Sequence, residues 1–314
     1  MTVNHDKKTI TIIIPLYNEE KNIPLLHKEV REATSGLPYT FEFLFINDGS
    51  EDTSTARLEQ LSKSDPHVHF VEFSRNFGKE IATTAGLHAA EGKAAIIMDA
   101  DLQHPPRLIP EFIQAWEGGA EVVVGVRRES KSESALKRIG SRWFYHIMSS
   151  ISETEVVPQA TDFRLLDRIV IEEFNRLTEH SRITRGLIDW VGFRRHHVFF
   201  DAGTRRHGKE KYSLPSLIGL AMTSFISMSL FPLRLAGYLG GVIVLASSVL
   251  GVVEIVDRYF HVWSFNFSGP AILATLLLFL VGIVLIALGL LAFYIGHIYR
   301  DTQNRPLYVI RRQT

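Results

Sequence analysis

Two runs of this chain contain no charged residue: Leu235 to Val253, 19 residues, and Ala271 to Ile295, 25 residues. A helix needs about 20 apolar residues to cross a hydrocarbon core about 30 Å thick, so each run is long enough to span a membrane. A pair of helices buried in a soluble core is the alternative, and such helices are ordinarily shorter. Arg234 precedes the first run, Glu254, Asp257 and Arg258 lie between the two, and Arg300, Arg305, Arg311 and Arg312 follow the second. The bias of basic residues then places both termini in the cytoplasm and Asp257 to Gly269 outside. Residues 232–298 are thus expected to hold two spans, about 233–256 and 270–296, in the inner membrane, with 299–314 as a basic cytoplasmic tail. Residues 213–231 carry apolar side chains at Leu214, Leu217, Ile218, Ala221, Met222, Phe225 and Ile226, the spacing of one helical face. That face suits a helix lying along the membrane surface or an ordinary core helix, and periodicity does not separate the two.

Residues 1–212 remain for a cytoplasmic domain. Met1 to Lys8 is polar and offers no apolar signal segment. With 34 basic and 34 acidic residues, the chain has no global positive field, which argues against a nucleic-acid partner. Cysteine is absent, which excludes disulfides and thiolate metal sites. Strand-like runs occur at Thr9 to Ile14, Phe41 to Asn47, Val68 to Phe73, Ala94 to Asp99 and Glu121 to Val126, with room for helices between them. Buried parallel strands with helical crossovers read this way, so the expected fold is α/β with an open parallel sheet, binding its ligand beyond the carboxyl ends of the strands.

No G-x-G-x-x-G or G-x-x-x-x-G-K-[ST] is present, which argues against a dinucleotide enzyme or a P-loop NTPase. The strand ends are acidic instead: Asn47-Asp48-Gly49-Ser50 after the second and Asp99-Ala100-Asp101-Leu102-Gln103 after the fourth. In an extended segment Asp99 and Asp101 point the same way and can offer two carboxylates to one hard cation such as Mg²⁺, which completes its shell with phosphates and water. A D-x-D alone is more often a turn or helix cap.

Pro15-Leu16-Tyr17-Asn18-Glu19, Asn47-Asp48-Gly49-Ser50 and Asp99-Ala100-Asp101, in this order and spacing, resemble glycosyltransferase family 2. The resemblance implies a GT-A type, mostly parallel sheet with flanking helices and a nucleotide-diphosphate sugar as donor. By matching position it implies that Pro15, Tyr17, Glu19 and Asp48 serve the nucleoside, and that Asp101, with Asp99 and Gln103, holds Mg²⁺ or Mn²⁺ against the diphosphate. Asn47 stands where many members have a first Asp. The segments Ser74-Arg75-Asn76-Phe77-Gly78-Lys79-Glu80, Thr161-Asp162-Phe163-Arg164 and Arg205 to Tyr212 resemble the polyprenyl-phosphate branch of that family, bacterial two-span undecaprenyl-phosphate sugar transferases above all. This adds Lys79 to the donor-site residues and makes polyprenyl phosphate the acceptor.

A phosphate monoester has a second pKa of about 6, so such an acceptor is already ionised and needs no strong base. The expected catalytic set is Asp101, Asp162 and Arg164, with Arg205 and Lys211 beside Arg164 on the lipid phosphate. A solvated loop for anionic headgroups is the plain alternative for Arg205 and Lys211. Asp162 either orients Arg164 and touches the sugar or forms a buried ion pair with it. Inverting transfer of one sugar, best read as glucose from a UDP carrier, into cell-envelope glycan modification is the expected outcome. The rivals are a processive polysaccharide synthase, for which Arg142-Trp143 lacks the rest of Q-x-x-R-W, and a noncatalytic membrane scaffold. His196, His197 and His207 lack acidic companions at ligand spacing. Gly237 and Gly241 form a G-x-x-x-G that could pack the two spans or join subunits of a homo-oligomer.

Overall fold

The computed structural model describes residues 9–128, 159–179, 182–201, 256, 269–303 and 305–314. The chain divides into two compact units, residues 1–212 with 305–314 and residues 213–304. In the first unit the order is β1 (Thr9–Leu16), α1 (Asn22–Thr34), β2 (Thr40–Asn47), α2 (Ser54–Ser64), β3 (Val68–Phe73), α3 (Lys79–Ala89), β4 (Ala94–Ile97), a 3-10 turn (Pro106–Leu108) and α4 (Ile109–Glu117). It continues through β5 (Val122–Arg127), β6 (Ala160–Asp167), α5 (Arg168–Arg176), α6 (Thr184–Val191) and β7 (Arg195–Phe200). The second unit contributes one described helix, α7 (Gly269–Thr302), and the chain then returns to the first unit for β8 (Ile310–Gln313).

The strands form a sheet in the order β7-β5-β6-β4-β1-β2-β3-β8. β1 pairs in parallel with β2 and β4, β2 with β3, and β5 with β7. β6 and β8 run antiparallel to their neighbours, so the sheet is mixed and mostly parallel rather than wholly parallel. All eight residues of β1 are buried, as expected of a central strand covered on both faces. Alternation along the strands makes two apolar layers. Ile12, Ile14, Phe43, Phe45, Phe70 and Ile96 pack under α1 and α4, while Ile13, Leu44, Ile46, Val71 and Ile97 pack under α3, α5 and α6.

Two features of this sheet position the site. β6 lies between β4 and β5 with Ile97 opposite Arg164, so its amino end, carrying Asp162, comes to the same edge as the residues that follow β4. β8 closes the other edge: residues 305–314, expected as a free basic tail, belong to the first unit, with Arg312 donating to Glu72 at 2.6 Å across the β3–β8 pair.

The second charge-free run lies within α7, a helix of 34 residues. Among the described residues no helix is long and apolar enough to cross a membrane. The first run and the expected surface helix, Leu214 to Leu230, fall outside the described residues.

Candidate active site

The loops after β1 and β2 are laced into one surface. Asn18, at φ 56°, receives the Glu51 N–H on its side-chain oxygen at 2.8 Å and donates its own N–H to Ser50 Oγ at 2.9 Å. Glu19 accepts from the Asn22 amide at 2.7 Å, and its N–H donates to Ser54 Oγ at 3.1 Å, so it anchors the start of α1. Asn47 is fully buried, donates to Thr55 Oγ1 at 2.8 Å and accepts the Ser50 N–H at 3.0 Å. Its amide closes the turn with one donated and one accepted hydrogen bond. Gly49 follows at φ 67°, and a Cβ there would meet the Arg75 carbonyl carbon at 2.5 Å, so only glycine fits.

Asp48 is buried and clasps the loop between β3 and α3. Its Oδ1 accepts the Phe77 N–H at 2.6 Å and its Oδ2 the Gly78 N–H at 2.9 Å. Burial pushes its carboxyl pKa up, and the two N–H donors and nearby Arg75 offset only part of that. The expected nucleoside contact of Asp48 is thus accompanied by an observed holding role. The clasp fixes Gly78 at φ 100° immediately before α3, and Lys79 leaves the first turn of that helix.

Lys79 joins the two acidic strand ends. Its Nζ lies 2.8 Å from Asp99 Oδ2 and 2.7 Å from Asp162 Oδ2. Burial disfavours charge on Lys79, but the two carboxylates outweigh it and raise its pKa. Burial likewise opposes ionisation of Asp162, yet Lys79, with Arg185 and Arg164 nearby, holds its carboxyl well below the usual carboxylate range. The second oxygen of Asp99, Oδ1, approaches Lys79 Nζ at 2.6 Å off the hydrogen-bonding direction and accepts no hydrogen bond. Behind Asp99 its N–H donates to His104 Nδ1 at 3.1 Å, which fixes the neutral tautomer, and burial among Phe163 and its neighbours pushes the His104 pKa down.

Asp101 is 9% exposed and its Oδ1 accepts the Gln103 N–H at 3.1 Å. The intervening Leu102 has φ 63°, a strained setting for a branched side chain. Gln103 Oε1 accepts from Arg127 Nη2 at 3.0 Å, and Arg127 Nε is buried without a partner. Arg127 was not singled out in the sequence, although it ends a strand at the ligand-binding edge. Among the described residues no group of three His, Asp or Glu could hold a metal ion. Two oxygen-donating carboxylates nevertheless suit a hard cation whose remaining ligands are phosphate and water, in competition with Lys79 for Asp99.

Arg164 has a structural role that the sequence did not show: it is 2% exposed, donates to Asp189 Oδ1 at 2.9 Å and to the Thr161 carbonyl at 3.2 Å, and so holds α6 against the sheet. Asp162 pairs with Lys79 rather than with Arg164. Pro15 and Tyr17 lie at the end of β1, Pro15 inside the strand. Arg205, Lys211, His207, Arg142 and Trp143 lie outside the described residues.

An open α/β sheet whose ligand-binding edge gathers Asp48, Lys79, Asp99, Asp101 and Asp162 defines an enzyme of the nucleotide-sugar transferase class. The sequence pattern described as Glycosyl transferase family 2 matches residues 11–174, and the chain belongs to that family. It is 38% identical to an uncharacterised glycosyltransferase of Bacillus subtilis (strain 168), over 96% of this chain and 93% of that protein. It is 38% identical to the bactoprenol glucosyl transferase of Shigella phage SfII, over 96% and 97% of the two chains. The prophage bactoprenol glucosyl transferase homolog of Escherichia coli (strain K12) is 37% identical over 96% and 98%.

Proposed function

We propose that this enzyme transfers one glucosyl unit from UDP-glucose to undecaprenyl phosphate at the cytoplasmic face of the membrane. The observation that carries the reading is the near full-length match to bactoprenol glucosyl transferases, which includes both charge-free runs as well as the acidic strand ends. The phosphate oxygen of the acceptor forms a bond to the anomeric carbon as the bond from that carbon to the UDP oxygen breaks, with inversion. No proton has to be removed, so the enzyme's task is placement and charge neutralisation. A divalent ion, Mg²⁺ or Mn²⁺, held by Asp99 and Asp101 would supply positive charge to the departing diphosphate. Lys79 adds a fixed cation beside it, Asp48 holds the loop that carries Lys79, and Asp162 faces the sugar side of that ammonium. Arg205 and Lys211 are the proposed lipid-phosphate residues.

β8 limits the topology. Because residues 310–313 pair with β3 in the sheet of residues 9–200, any crossings made between residues 212 and 305 must be even in number. Two spans satisfy this. Labelling of an engineered cysteine at Ser264 from outside, with both ends reachable only from inside, is the expected topology result.

The function is tested with purified full-length protein, undecaprenyl phosphate and radiolabelled UDP-glucose. One glucose per lipid is expected, dependent on added Mg²⁺ or Mn²⁺. A ladder of longer products would instead make the enzyme processive, and the absence of transfer from any nucleotide sugar would overturn the reading.

A further inference from the structure

The last residues of the chain reach the same loop that Asp48 clasps. The Ser74 N–H donates to the Val309 carbonyl at 2.9 Å, at the point where β3 ends and the loop begins. Tyr308 stacks on Phe73 with centroids 5.1 Å apart and planes 17° from parallel, and Phe73 in turn meets Phe77 edge-on at 5.6 Å. The Tyr308 hydroxyl lies 3.2 Å from His88 Nδ1, near the far end of α3. Tyr308 thus touches the strand before residues 74–78 and the helix after them. Those residues deliver the two N–H groups to Asp48 and set the start of the helix from which Lys79 reaches Asp99 and Asp162.

We propose that Tyr308 is a positioning residue of the donor site: it holds the 74–78 loop in the shape that lets Asp48 and Lys79 act. The assignment rests on the proposed function for the meaning of that site, while the loop geometry stands without it. Arg312 provides the comparison, because its ion pairs secure the other end of β8 to Glu72 and Glu59.

The test uses full-length protein in detergent with Tyr308→Ala, Tyr308→Phe and Arg312→Ala. Uridine diphosphate binding is measured by calorimetry, amide exchange over residues 74–79 by mass spectrometry, and thermal melting alongside. Tyr308→Ala should weaken binding about three- to ten-fold, the range that one aromatic pair is worth, and speed exchange at Phe77 and Gly78. Tyr308→Phe keeps the stack and should restore both. Arg312→Ala should lower the melting temperature without either effect. Equal exchange in wild type and Tyr308→Ala, or equal loss of binding in Tyr308→Ala and Arg312→Ala at equal melting temperature, would overturn the proposal. A wild type that binds no uridine diphosphate would instead count against the donor reading, and the exchange result would still decide the role of Tyr308.

Discussion

Lys79 Nζ lies 2.7 Å from Asp162 Oδ2 and at the same time within reach of Asp99, so one ammonium ties the end of β4 to the beginning of β6. Replacing it by Lys79→Met leaves two carboxylates facing each other. Turnover should fall about 10²-fold, as for loss of one electrostatic contact to a developing charge. Half-saturation by Mg²⁺ in a donor-binding titration should move to lower concentration, since the competing cation is gone. An unchanged Mg²⁺ requirement would argue that Asp99 does not face the metal.

Asp101→Asn retains the oxygen that accepts the Gln103 N–H but loses the charge. Turnover should drop about 10²-fold or more with little change in melting temperature. Steady-state rates and a thermal scan on the same preparation check both parts.

Arg164 gives the opposite pattern. Arg164→Ala leaves Asp189 with Arg195, 3.7 Å away, as its ion-pair partner among the described residues, so the fold should lose about 3 kcal/mol, the low end for breaking a buried pair. Denaturant unfolding of the variant measures this. Loss of acceptor affinity with stability intact would return Arg164 to the phosphate site.

The pH dependence of stability should have a component at Asp65, far from the site. Burial opposes its ionisation, but Arg31, the His67 N–H and His27 hold its carboxyl at about 2. The folded value is below the unfolded one, about 3.9, so the contribution is complete above that pH and is lost as pH falls toward 2. Asp65→Asn should cost about 1 kcal/mol at pH 7, discounted for the solvent around Arg31, and the gap from wild type should close below about pH 4. Melting temperatures of the two proteins from pH 7 to 2.5 decide it.

The first five strands were legible because each is a short apolar run, rich in β-branched or aromatic residues in most cases, and the acidic motifs after the second and fourth fell where open sheets bind ligands. β6 was harder to read because Thr161-Asp162-Phe163-Arg164 is mostly polar and includes a charged residue that is buried, and nothing local shows that it inserts between β4 and β5 in the antiparallel sense. Arg164 looked catalytic beside Asp162 in sequence, since a spacing of two puts both on one face of a strand, but its buried partner Asp189 comes from a helix 25 residues later and could not be read locally. β8 could not be read at all, since Ile-Arg-Arg-Gln has the composition of a solvated tail and becomes a strand only through Glu72 and the open edge of β3.

The return of β8 makes the catalytic domain discontinuous in the order of synthesis. β3 is made by residue 73 but meets its antiparallel partner only when residue 310 and those after it have left the ribosome. At about 5 to 20 residues per second, the 236 residues between them take roughly ten to fifty seconds. During that interval the nascent sheet presents an unpaired strand whose residues are nearly all buried in the finished protein, the kind of edge that templates association between chains. A fragment ending at residue 212 would keep that edge permanently, so a soluble version of the domain requires residues 305–314 to be spliced back on.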